Sequence, residues 1–148
     1  MNSKPPFVRQ ERPDTCAIAC LRMILAYQGR ASTEADVVQS AAMQPSGIDP
    51  EGLAQLAQRY GVRAVEQQLD WEALFDLIRQ QRFPIVFLYR RLINGVGEGP
   101  AVIPVRLSRQ YVTFLDPLRG ERRVTIQKFE EARRLIGQWV VVWEQPAA

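Results

Sequence analysis

The chemistry open to this chain starts at Cys16. The preceding Pro13-Asp14-Thr15 reads as a helix entry, with Asp14 or Thr15 able to cap it, and Gly29 fits the left-handed residue that ends the helix, which spans 14–28. Cys16 then falls in the first turn, where free backbone N–H groups and the macrodipole favour an anion. A thiolate is an anion, so this position is expected to lower the thiol pKa and enlarge the nucleophilic fraction. The plainer reading is a small buried hydrophobe. Cys20 lies a full turn further on, away from the free N–H groups, and reads as core. The four-residue spacing puts both thiols on one helix face with roughly parallel Cβ vectors, which disfavours a disulfide. Both are expected to be free, in a reducing compartment.

Two other side chains fit around such a thiol. Gln10, six residues upstream, carries an amide that can donate to an oxyanion forming beside the cysteine. Alone it would be a solvated polar residue. Asp116 precedes Pro117 at the end of an apolar run, where a carboxylate usually caps a turn and can also orient a catalytic base. The base itself is the gap. The sequence contains 0 histidines, which removes the commonest general base near neutral pH and the commonest metal ligand. Two thiols without histidine also make a poor zinc site, and no cofactor is expected.

These residues need a scaffold. Ile18, Leu21, Ile24 and Leu25 recur at helical spacing around much of the first helix, which is therefore expected to be central. A second helix is predicted over 33–42. Asp49 and Pro50 mark the start of a third, with an apolar face of Leu53, Leu56, Ala57 and Tyr60 and a stop at Gly61. A half-buried strand over 62–67 follows, then a helix capped by Asp70 with the stripe Trp71, Leu74, Phe75 and Ile78. From Pro84 the pattern changes. Strands are predicted over 84–89, 101–107 and 111–115, with Ser108, Arg109 and Gln110 turning the hairpin. The Asp116–Gly120 turn, a strand over 123–126, a helix over 127–136 and the strand Trp139–Trp143 complete the chain. Helices first and an antiparallel sheet afterwards give an α+β fold, as one domain over 1–148. The Gly-rich stretch Asn94–Pro100 lacks a P-loop lysine and reads as a loop.

Composition narrows the partners. Hydrophobic residues make up 47% of the 148, enough for a core. No apolar run is long enough to span a membrane, and the polar, proline-rich start lacks a secretory signal, so a cytoplasmic protein is expected. With 19 basic and 16 acidic residues the net charge is +3, too balanced to imply nucleic-acid binding. The pairs Arg90-Arg91, Arg122-Arg123 and Arg133-Arg134 are expected on solvated surface.

The segment Gln10–Gly29, QERPDTCAIACLRMILAYQG, resembles the N-terminal motif of the C39 cysteine peptidases, and AVIPVRLSRQYVTFLDPLRG (101–120) resembles their strand, turn, strand and Asp-Pro. The resemblance covers nearly the whole chain. It implies a papain-like fold, with the helical half packed on the C-terminal sheet. It also implies Cys16 as nucleophile, Gln10 as oxyanion donor and Asp116 as the residue that orients a histidine. Ala17 and Thr15 depart from the family's glycine and aspartate, and Asp14 stands one place early. The serious departure is at the histidine. Its expected place, about sixteen residues before Asp116, falls on Pro100 or Ala101, and neither takes a proton.

In a Cys-His-Asp site, histidine activates the thiol and later protonates the leaving amine. A helix terminus can assist only the first step. The leading expectation is therefore a degenerate C39-like domain that binds peptide or leader segments in a cleft lined by Cys16 and Gln10, alongside a transporter or maturation partner. An active cysteine peptidase using Cys16 is the first alternative. The other is a non-catalytic interaction domain presenting the loop Arg90–Pro100 and the Trp-rich final strand.

Overall fold

A computed structural model describes residues 4–44, 47–94 and 99–145. The elements in chain order are α1 (Cys16–Tyr27), α2 (Glu34–Gln39), α3 (Pro50–Arg59), β1 (Ala64–Gln68), α4 (Trp71–Arg79), β2 (Ile85–Phe87), α5 (Arg91–Asn94), β3 (Ala101–Leu107), β4 (Tyr111–Asp116), β5 (Gly120–Thr125), α6 (Ile126–Arg134) and β6 (Trp139–Trp143). The α+β architecture holds. The second helix, predicted over 33–42, is shorter and ends at Gln39. α5 was not legible at all, and β5 begins three residues early, at Gly120.

The six strands form one antiparallel sheet in the order β1-β6-β2-β3-β4-β5. Helices cover both of its faces. Ile85, Phe87, Ala101, Ile103, Val141 and Trp143 pack in one core with α1 and α3. Val86, Val102, Val140, Val112 and Phe114 point the other way, into a second core with Leu74 of α4 and Phe129 of α6. Central strands buried on both faces read as unbroken apolar runs, which is why IVF and WVVVW show no polar alternation. Pro104 cannot donate to the ladder, and the β3–β4 register shifts between Pro104 and Arg106.

α1 is the element that matters for the site. Cys16, Ile18, Ala19, Cys20, Leu21 and Met23 are each at most 2% exposed, so the helix runs through the core with its first turn facing the start of β3. The caps of α3 and α4 form as expected: Asp49 accepts from Gly52 N–H at 2.7 Å and Asp70 from Ala73 N–H at 3.0 Å. At α1 the capping differs. Thr15 is the N-cap residue, but its hydroxyl turns back to bond the Arg12 carbonyl at 3.0 Å and caps no helix N–H.

Candidate functional site

The extended N-terminal segment is tied beside the turn after β4. Gln10 N–H donates to Pro117 O at 3.0 Å, and Arg9 Nη1 to Leu118 O at 2.7 Å. Buried Glu34 of α2 accepts from Glu11 N–H at 3.0 Å. These bonds put Gln10 against the Asp116-Pro117 turn. Its amide, however, is already committed: Nε2 donates to Arg12 O at 2.9 Å and Pro13 O at 3.4 Å.

Cys16 meets the start of β3. Ala101 N–H donates to Cys16 Sγ at 3.4 Å, so the strand position where an imidazole was sought brings a backbone amide to the sulfur. Gly99 also backs onto the sulfur. A Cβ built on Gly99 would overlap the Cys16 sulfur and lie 2.9 Å from Cys16 Cβ, and the residue holds φ +76°. Only glycine fits both demands. The thiol is consequently 2% exposed.

Burial reverses the expected direction of the thiol pKa. Loss of solvation pushes Cys16 up, and it outweighs the Ala101 N–H, the nearby Arg90 charge and the Ala17 N–H, all of which favour the thiolate. The helix terminus does act on the sulfur, through Ala17, but it loses to desolvation. Cys20 is fully buried, as expected of core, and burial raises its pKa well above the ordinary thiol value. Both cysteines are free.

Asp116 is fully buried at the end of β4. Its carboxylate caps the turn by accepting from Leu118 N–H at 2.9 Å, and it pairs with the Arg90 guanidinium. Arg90 was assigned to solvated surface, and this is corrected: it is 2% exposed. Its Nη1 bonds Asp116, its Nε donates to Gly99 O at 2.7 Å and its Nη2 to Ala101 O at 3.3 Å. A guanidinium thus bridges the carboxylate and the start of β3. Arg133 is likewise buried rather than solvated, donating to Leu69 O. The sequence signal missed for Arg90 was its place directly after the apolar run 84–89, two residues beyond buried Leu88.

Beside this cluster lies a groove of about 610 Å³, whose lining includes Ile48, Phe87, Tyr89, Gly99, Pro100 and Trp139. Arg90 also lines it. Gly99 therefore stands between the groove and the thiol, and Cys16, Gln10 and Asp116 are not among the groove's lining residues.

The Peptidase C39 family profile matches residues 4–134. The chain belongs to the Peptidase C39 family. No curated protein matches it significantly. Among solved structures, a C39-like peptidase from Bacillus anthracis superposes with a TM-score of 0.78 at 18% identity, covering 99% of this chain and 97% of that one. The peptidase domain of Streptococcus ComA, a bifunctional ABC transporter, gives 0.77 at 16% identity, covering 98% and 100%. A double glycine motif protease from an AMS/PCAT transporter, solved with its leader peptide, gives 0.75 at 15% identity, covering 97% and 94%.

Within this C39 fold the three residues picked from sequence occupy neighbouring positions. Cys16 and Asp116 are linked through Ala101 and Arg90, and Gln10 touches the Asp-Pro turn. Two sequence expectations about exposure need correction. Trp143 is buried, with its indole N–H on Phe83 O at 2.7 Å, so it is not a docking surface. The loop expected over 90–100 begins with buried Arg90 and the short helix α5, and positions 95–98 lie outside the described residues. No helix among the described residues is long and apolar enough to cross a membrane.

Proposed function

We propose that this chain is a C39 peptidase domain that binds a peptide segment without cutting it. One observation carries the reading: the Asp116 carboxylate is satisfied by the Arg90 guanidinium, in a chain with 0 histidines. Arginine stays protonated at any physiological pH, so it can neither take the thiol proton nor shuttle it to a leaving amine. General acid–base catalysis is worth roughly 10²–10⁴-fold, and its loss leaves amide hydrolysis without a proton donor at nitrogen. The raised Cys16 pKa and the Gly99 cover work in the same direction.

Peptide binding rests on the groove. Phe87, Tyr89, Ile136 and Trp139 give it an apolar and aromatic lining, and Tyr89 and Ile136 are 42% and 36% exposed. Such a lining suits the apolar side chains of an extended or helical peptide. The superposable transporter protease was solved with a leader peptide, which supports a leader-type segment as the ligand and a transporter or maturation enzyme as the working partner, with the domain on the cytoplasmic side. The test is a calorimetric titration with leader-type peptides ending in two glycines. Saturable binding is expected; a flat titration at high micromolar peptide would refute the reading.

A further inference from the structure

The Arg90 fork has a second consequence, for the sulfur rather than for Asp116. Gly99 lies so near Cys16 that a Cβ on it would collide with Sγ, and the Gly99 carbonyl is held by Arg90 Nε at 2.7 Å. The next anchor, Ala101, is held twice: its carbonyl by Arg90 Nη2 at 3.3 Å, its N–H by the sulfur itself at 3.4 Å. The guanidinium is in turn fixed by Asp116, which also accepts from Leu118 N–H at 2.9 Å in the Asp-Pro turn. Arg90 is thus the only described side chain that donates to both carbonyls flanking Pro100. Its planar fork offers donors in a fixed geometry, which one ammonium group cannot reproduce.

We infer that Arg90 is a positioning residue that keeps the Cys16 thiol covered, holding Gly99 against the sulfur from the floor of the groove. The inference deepens the reading of a non-cutting site, yet it is independent of peptide binding, because a small alkylating reagent reads it without any peptide. In the native protein Cys16 reacts only when the cover opens locally, and the fork sets how often that happens. The groove is lined by Arg90, Gly99 and Pro100, so the same fork shapes the groove wall.

The experiment is iodoacetamide alkylation of the native chain, Arg90→Gln and Arg90→Lys, with Cys16 and Cys20 followed separately by peptide mass spectrometry. Lysine retains a cation for Asp116 but gives up the fork. Losing charge-assisted bonds to the carbonyls should raise Cys16 alkylation about 10- to 100-fold in both variants. Cys20, fully buried in the same helix, should stay unreactive. Unchanged Cys16 reactivity in Arg90→Lys overturns the assignment. So does a parallel rise at Cys20, which would mean that Arg90 only supports the fold. If peptide binding fails while Cys16 is selectively unmasked, the ligand is wrong and the cover stands.

Discussion

Asp116 is ion-paired with Arg90, inside the fold and out of water. In a chain whose family resemblance calls for Asp116 to orient an imidazole, this partner decides what the site can do. A carboxylate beside a neutral imidazole strengthens a base; a carboxylate beside a guanidinium only neutralises a charge.

Because both partners are buried, removing either one leaves an uncompensated charge. Arg90→Ala and Asp116→Ala should each cost about 3–5 kcal/mol of stability. The paired apolar replacement Arg90→Met with Asp116→Leu should cost less than the sum of the two single losses. Urea denaturation in a double-mutant cycle measures the coupling; additive losses would show that the pair carries no joint energy.

Gly99→Ala combines two penalties: a left-handed backbone and a methyl pushed into the Cys16 sulfur. A loss of about 1–3 kcal/mol is expected. In a Cys16→Ala background part of that loss should vanish, since the sulfur is gone while φ +76° remains. Equal losses in both backgrounds would contradict the close approach.

Stability should also depend on pH through the thiols. Burial raises the folded-state pKa of Cys16 and, more strongly, of Cys20. Above the unfolded thiol value of about 8.5 the unfolded chain releases protons that the folded chain keeps, so stability falls with rising pH. The contribution is complete below that value and is lost as pH climbs through the folded pKa values. Urea midpoints measured at neutral and alkaline pH should therefore drop, and Cys20→Ala should flatten the drop. A midpoint that rises with pH over this range would reverse the assigned direction.

Binding should be sensitive to the apolar lining of the groove. Tyr89→Ser and Ile136→Ser remove partly exposed apolar surface from the lining. Each should weaken leader-type peptide binding by about tenfold, corresponding to truncation of a contributing interface residue. Thermal melts should move little. Undiminished affinity in both variants would move the peptide elsewhere on the domain.

Much of the scaffold was readable because local signals coincide with tertiary demands. Asp49-Pro50 and Asp70 cap their helices as their types predict, and the continuous apolar strands match a sheet covered on both faces. Cys16, Gln10 and Asp116 were singled out by their local chemistry and by the family resemblance. Two things were not readable. Helix-terminal placement argued for a lowered thiol pKa, because a helix dipole is a local property, whereas the dominant effect is burial, which depends on how distant segments pack over the sulfur. Arg90 looked like surface because an arginine's partner cannot be seen in one dimension. Only the fold sets its guanidinium between Asp116 and the Gly99 carbonyl.

The most direct test incubates the native chain with a leader-type peptide carrying a double glycine and follows both binding and peptide mass. Saturable binding is expected, with the peptide intact after prolonged incubation. Cleavage after the glycines by the native chain, absent in Cys16→Ala, would contradict the account at its centre.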